Sequence, residues 1–177
     1  MAFNVRTLHD VHPEDLKLKY NHGKDHGAPY TSPTFPEAPF ADSNADLVEY
    51  PANCQCGAVT YTLRLPSLAT DTVNQCNCSI CDRNAYLLVY PPVRDVAFHT
   101  GYEGLSAYSF NTKKLVHKFC GTCGSSIFFD MTARGEDEWG MNVRMLTDVD
   151  LKAFTYTHYD GRVLMQPPYS IGKPAAS

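Results

Sequence analysis

Seven cysteines gathered into three tight clusters constrain this chain more than any other feature of its sequence: Cys54-Gln55-Cys56, then Cys76-Asn77-Cys78-Ser79-Ile80-Cys81, then Cys120-Gly121-Thr122-Cys123. None stands alone, whereas a buried structural cysteine is usually a solitary small hydrophobe. An odd count cannot pair off entirely into internal disulfides, and 177 residues at 44% hydrophobic content are enough to bury a core without such staples. Met1 to Asp15 has no apolar core of the signal-peptide kind, and nowhere do about 18 apolar residues run together. The expected setting is therefore cytoplasmic, where thiols are kept reduced and clustered cysteines point to metal or thiol chemistry.

Each spacing has a geometric reading. Cys54 and Cys56 stand at i and i+2, which in an extended segment entering a strand puts both sulfurs on one face. In Cys120-Gly121-Thr122-Cys123-Gly124 the two intervening residues predict a tight turn aiming both sulfurs inward, with Gly121 and Gly124 tolerating a positive φ. Two ligands from each of these segments make the tetrahedral four-thiolate set of a structural zinc. Cys76, Cys78 and Cys81 remain, three thiolates in six residues. Three protein ligands with one open position is the stoichiometry of a catalytic zinc. The expectation is thus two Zn2+ ions per chain. Spacing alone leaves other partitions open: Cys76 and Cys78 could pair with Cys120 and Cys123, and a histidine could close the second site.

Outside the clusters, residues 1–45 read as an irregular N-terminal arm that holds five of the twelve prolines and four of the seven histidines. Proline fixes φ and removes a donor, so 28–40 should be extended, with one short helical turn at Pro13 to Tyr20. Tyr30, Phe35 and Phe40 are costly to leave in water, so the arm is expected to wrap the domain, or a second protomer in a homo-oligomer. From residue 46 to 177 the pattern is that of one β domain. In Ala58 to Leu65 apolar and polar residues alternate, the mark of a half-buried strand. Further β-type runs are Tyr86 to Tyr90, Val96 to Thr100, Ser106 to Phe110, Leu115 to Phe119, Ser126 to Phe129, Gly140 to Met145 and Phe154 to Tyr159. One helical turn is expected at Asp148 to Phe154, capped by Asp148.

The order C-x-C-G-A-V, C-x-C-S-x-C and F-C-x-x-C-G-S, here Cys54 to Val59, Cys76 to Cys81 and Phe119 to Ser125, resembles the glutathione-dependent formaldehyde-activating enzyme family, also called the Gfa / centromere protein V family. The likeness runs through Gly101, Leu105 and Tyr108 to Asn142-Val143-Arg144, Asp148 to Leu151 and His158-Tyr159-Asp160-Gly161. It implies a mainly β, Mss4-like fold of antiparallel sheets around zinc. It also implies a structural ion on Cys54, Cys56, Cys120 and Cys123 and a working ion on Cys76, Cys78 and Cys81. The implied activity is that of a carbon–sulfur lyase joining or cleaving glutathione, or a similar thiol, and a small aldehyde or related electrophile. Two departures stand out: Asp82 precedes Arg83 where members often carry a basic residue directly after the third cysteine of the central cluster, and the arm has no counterpart in the family's core.

Among other residues, Arg144 is a candidate for a substrate carboxylate through its planar fork, and His158 for proton transfer at the site. His117 alternates with Leu115 and Phe119 just before a ligand, where it could bond to a metal-bound cysteine, but it reads first as strand packing. His9, His12, His22 and His26 could form a metal-binding arm, yet their irregular spacing is that of solvated residues. Tyr86, Tyr90 and Phe98 could line a pocket, though core packing is the commoner fate of such residues. Fifteen basic against nineteen acidic residues give a net charge of −4, which argues against nucleic acid as a partner. No membrane partner is expected. The competing readings are a lyase or addition catalyst on a metabolite other than glutathione, and a non-enzymatic zinc module that binds a protein.

Overall fold

A computed structural model describes residues 2–8, 10–11, 15–21, 23, 26–40 and 44–168. Among the described residues ten strands form two sheets. The smaller sheet has the order β1-β2-β5, from β1 (Val48–Asn53), β2 (Thr60–Leu65) and β5 (Val96–Thr100). The larger has the order β10-β3-β4-β9-β8-β7-β6. Its members are β3 (Thr72–Cys76), β4 (Leu88–Val89), β6 (Leu105–Tyr108), β7 (Val116–Cys120), β8 (Ser126–Asp130), β9 (Trp139–Asn142) and β10 (Thr155–Tyr159). All strand pairs are antiparallel except β3 with β10, which run parallel with Cys76 opposite Tyr159. The helices are short: α1 (Ser79–Asn84) and α2 (Gly161–Leu164).

The main core lies between the sheets, where Tyr61 and Leu63 of the small sheet join Phe128, Trp139 and Met141 of the large one. Phe128 stacks on Trp139 with ring centroids 4.5 Å apart. Side chains alternate across a strand, so the next residue, Phe129, leaves this core for the outer face of the large sheet. There it joins a second apolar cluster with Cys76, Cys81, Tyr86, Leu88 and Met131. The large sheet therefore separates the packing that holds the fold from the face that carries the central cysteines.

Several expectations are revised. β2 is buried on both faces, not one. It is the middle strand, and its polar residues find partners: Thr60 with Thr100, Thr62 with His99, and the Arg64 guanidinium on Asp95, with Nε donating over 2.9 Å. The run 140–145 ends as a strand at Asn142 and continues as a 3-10 turn, Val143–Met145, whose cap is Asn142 itself. The helical turn expected at 148–154 is a 3-10 turn at Leu151–Ala153, capped by Asp150 and not Asp148, which sits at φ 55°. In the arm, Pro13 lies outside the described residues, as do His9, His12 and His22; within the expected turn Asp15 is in 3-10 conformation and Lys17 to Tyr20 have no regular structure, and a further 3-10 turn spans Val5–Thr7. His26 is exposed. The arm touches the β domain at named points. Tyr30 accepts a hydrogen bond from the Asn53 amide, and the Arg64 guanidinium lies 4.3 Å from the centre of the Phe40 ring.

Candidate functional site

The structure brings the seven thiols together as four and three. Within each of the sets Cys54, Cys56, Cys120, Cys123 and Cys76, Cys78, Cys81, all sulfurs lie within 4.8 Å of one another.

The first set is built from two hairpin turns. Cys54 and Cys56 do not share an extended segment; they sit in the turn between β1 and β2, where the Gly57 amide donates to the Cys54 carbonyl and the Cys54 amide to that of Val59, each over 3.0 Å. The turn between β7 and β8 repeats the device, with the Gly124 amide donating to the Cys120 carbonyl and the Cys120 amide to that of Ser125, each over 2.9 Å. Gly57 at φ 75° and Gly124 at φ 74° occupy the left-handed region that lets each turn close on its second cysteine. Gly121 has no positive φ; a Cβ there would stand 2.8 Å from the Gly104 carbonyl oxygen. The sulfurs of Cys54 and Cys56 are 3.5 Å apart and those of Cys56 and Cys120 3.8 Å. Burial pushes the Cys54 thiol up to about 12, against the opposing help of the Val59 amide. At Cys123 burial also raises the pKa, but bonds from the Ser125 hydroxyl and the nearby amides bring it down to about 6.

The second set straddles the end of β3 and the start of α1. Cys76 is the last residue of the strand, Cys78 is the N-cap of the helix, and Cys81 lies in its first turn. Cys76 and Cys81 are buried and Cys78 is half-buried. Hydrogen bonds from the Cys76 and Cys81 thiols hold Cys78 far below the usual thiol range, helped by the Ile80 and Cys81 amides at the open helix end. The two donating thiols are raised in turn.

The segment after β10 packs over this cluster. A Cβ on Gly161 would meet the Cys76 sulfur at 2.6 Å and the Cys78 Cβ at 2.8 Å, so only glycine fits the approach. Asn77, between two of the cysteines, fixes the segment: its amide donates to the Tyr159 carbonyl, its side chain to Asp160, and it accepts from the Arg162 amide over 3.0 Å. Asp82 binds both terminal segments, Arg6 over 2.7 Å and Arg162 over 3.0 Å. None of Gly161, Arg6 or this use of Asp82 was legible from spacing; the nearest signal was Asp82 standing where a basic residue is usual.

Arg144 and His158 stand beside the elements that carry the three thiols. Arg144 is exposed over much of its surface, and its Nε donates to the Ala85 carbonyl at the end of α1; partial desolvation of the guanidinium and then the nearby Arg6 lower its pKa. His158 is exposed on β10 opposite Gln75, and its ring makes no hydrogen bond to another described residue. His117 is placed differently: it is buried on the outer face of the large sheet, its ring 5.4 Å from Phe129 and 6.0 Å from Tyr86.

Both donor sets suit a borderline-soft divalent ion, since four or three closely spaced sulfurs are the donors zinc takes in closed and open sites respectively. Among the described residues no fourth His, Cys, Asp or Glu joins the set of Cys76, Cys78 and Cys81. The family model of the glutathione-dependent formaldehyde-activating enzyme matches residues 49–157. The chain belongs to this family. A crystal structure of a Rhodobacter sphaeroides protein is similar to it, with a TM-score of 0.53 at 30% sequence identity, over 60% of this chain and 99% of that one. This member of the glutathione-dependent formaldehyde-activating family thus carries its core together with additional chain that the neighbour lacks. None of its helices among the described residues is long and apolar enough to cross a membrane.

Proposed function

We propose that the protein is a zinc-dependent carbon–sulfur lyase-type enzyme that joins, or cleaves, a glutathione-like thiol and a small aldehyde or related electrophile. The observation that carries this reading is the three-sulfur set of Cys76, Cys78 and Cys81, with no fourth His, Cys, Asp or Glu among the described residues, at the foot of α1 on the outer face of the sheet. Zinc held there would supply an open position for the substrate sulfur, which it would deprotonate, and positive charge near the oxygen that becomes negative as the bond forms. The chain's own residues do the rest. The Asn77 and Gly161 contacts fix Cys76 and Cys78 in position. Arg144, beside the end of α1, is the candidate partner for a carboxylate of the thiol. His158 is kept as a candidate for proton transfer from the adjoining edge strand. Cys54, Cys56, Cys120 and Cys123 hold a second, structural zinc, so the protein carries two, and residues 46–177 form the working domain with 1–45 as its arm.

The test is cobalt substitution. Adding glutathione to the cobalt protein is expected to intensify the sulfur-to-cobalt charge-transfer bands, and Cys78→Ala to abolish the response. Turnover is then assayed with the same thiol and a short aldehyde in both directions. A metal that no thiol perturbs would replace the enzyme by a binding module.

A further inference from the structure

Three arginines from distant parts of the chain converge on α1: Arg6 from the arm, Arg144 from the turn after β9, and Arg162 from α2. Arg6 and Arg162 share the single carboxylate of Asp82, while Arg144 is bonded to a carbonyl and to no carboxylate among the described residues. One negative charge thus stands against three positive ones. Arg6 is held in place by its own turn. The Asn4 side chain accepts from the Arg6 amide over 3.1 Å, the Thr7 hydroxyl donates to the Asn4 carbonyl over 2.7 Å, and the turn packs against α1. Neighbouring carbonyls of the helix end receive two of the guanidinium groups. Arg6 Nη1 donates to the Asp82 carbonyl over 3.3 Å and Arg144 Nε to that of Ala85, and the Ala85 amide donates to the same Asp82 carbonyl over 3.2 Å. Carbonyls left open at a helix C-terminus attract cations, but each needs only one N–H, and both arginines have donors to spare. Nε and Nη2 of Arg6 and both Nη of Arg144 make no hydrogen bond to another described residue. After desolvation, repulsion from Arg6 is the next cause that lowers the Arg144 pKa, so the two charges act on each other.

We propose that Arg6 joins Arg144 in binding a carboxylate of the thiol, so that the N-terminal arm takes part in substrate recognition and selects a peptide-sized acidic thiol over a small or neutral one. The proposal rests on the thiol reading above and adds the arm to it. Arg6 lies outside residues 49–157, so the family match does not supply this contact. Charge decides the chemical class. Two guanidinium groups on one helical turn repel each other, and a carboxylate between them offsets that repulsion while accepting from their unused N–H groups. Reach decides the size. Cys78 caps the other end of α1, and the six residues of the helix rise about 9 Å. An extended peptide covers that distance in about three residues. A thiol of tripeptide length therefore spans from the three-sulfur set to the arginines, and a thiol of two or three carbons does not.

The test uses the zinc-loaded full chain and two probes whose sulfur is blocked: S-methylglutathione, which keeps both carboxylates, and its diethyl ester, which has neither charge. Calorimetric titration is expected to show the acid bound at least about tenfold more tightly than the ester, the worth of one charge-assisted hydrogen bond. Arg6→Gln and Arg144→Gln should each weaken the acid by about tenfold and leave the ester unchanged, and Arg6→Lys, which keeps the charge on the arm, should restore part of the preference. High salt should narrow the gap between acid and ester in the wild type, a readout that needs no variant to fold. An acid that fails to bind, acid and ester bound equally, or an Arg6→Gln protein that weakens both probes alike or neither would overturn the proposal. The two readings fail separately. Cobalt protein whose spectrum ignores glutathione, in a chain that still discriminates acid from ester through Arg6, removes the thiol reading alone; cobalt protein that answers equally to glutathione and to its diethyl ester, with and without Arg6, removes this proposal alone.

Discussion

At Gly161 a single hydrogen in place of a side chain decides whether the central cluster can close. A methyl group there would overlap the Cys76 sulfur and the Cys78 Cβ, so Gly161→Ala is expected to reduce bound zinc from about two to about one per chain, the four-cysteine site staying loaded. Metal analysis of dialysed protein checks this, and an unchanged content would contradict it. His117 carries a pH signature as well. Its folded pKa is depressed from 6.5 to about 4 by burial, so its contribution to stability is present above pH 6.5 and is lost as pH falls through 4, up to about 3 kcal/mol. Denaturant midpoints should fall more steeply over that window in the wild type than in His117→Phe; parallel curves would refute the assignment. The cysteines were legible in the sequence because few other roles need thiols at such spacing. The reading of His117 as strand packing holds, for it is buried on the sheet; Gly161 was not legible as a site residue, since its function is the absence of atoms.

The two cysteine turns, β1–β2 and β7–β8, form one element in energetic terms, for neither can hold an ion alone. Removal of Cys120 strands three thiols and forfeits most of the roughly 10–16 kcal/mol that a structural zinc supplies in small modules, so Cys120→Ala is expected to unfold or aggregate. Cys78→Ala, on the face away from the main core, should melt within a few degrees of wild type. Thermal melts read against zinc content separate the two, and equal damage with one ion retained in each would reverse the assigned roles. Strands with clear alternation, such as β5, β8 and β10, were legible within a residue or two. β1 was not, because it contains Pro51, tolerated there on an edge strand. β3 has the sequence Thr-Val-Asn-Gln-Cys, with one buried aliphatic residue, and α1 is six residues long, too short for a helical period to show.

Across the whole molecule, the Arg6, Asp82 and Arg162 contacts tie the two terminal segments to α1. These groups are partly exposed, so Asp82→Ala should cost less than about 1 kcal/mol of global stability. It should nonetheless free the arm, seen as faster protease cleavage in the N-terminal segment, and high salt should move the wild type toward the variant. Identical cleavage rates would show that the clamp restrains nothing. The sequence pattern revealed a mainly β chain and its cysteine sets, but not this closure, which depends on residues 76 and 80 positions apart in the chain. The parallel pairing of β3 with β10 carries the same separation into time. The partners Asn77 and Arg162 are 85 residues apart, and at roughly 5–20 residues per second a ribosome needs on the order of four to seventeen seconds to make the stretch between them. During synthesis the central thiols are therefore made before Cys120 and Cys123 yet enclosed after them, and for that interval they stand open to whatever metal or oxidant the nascent chain meets.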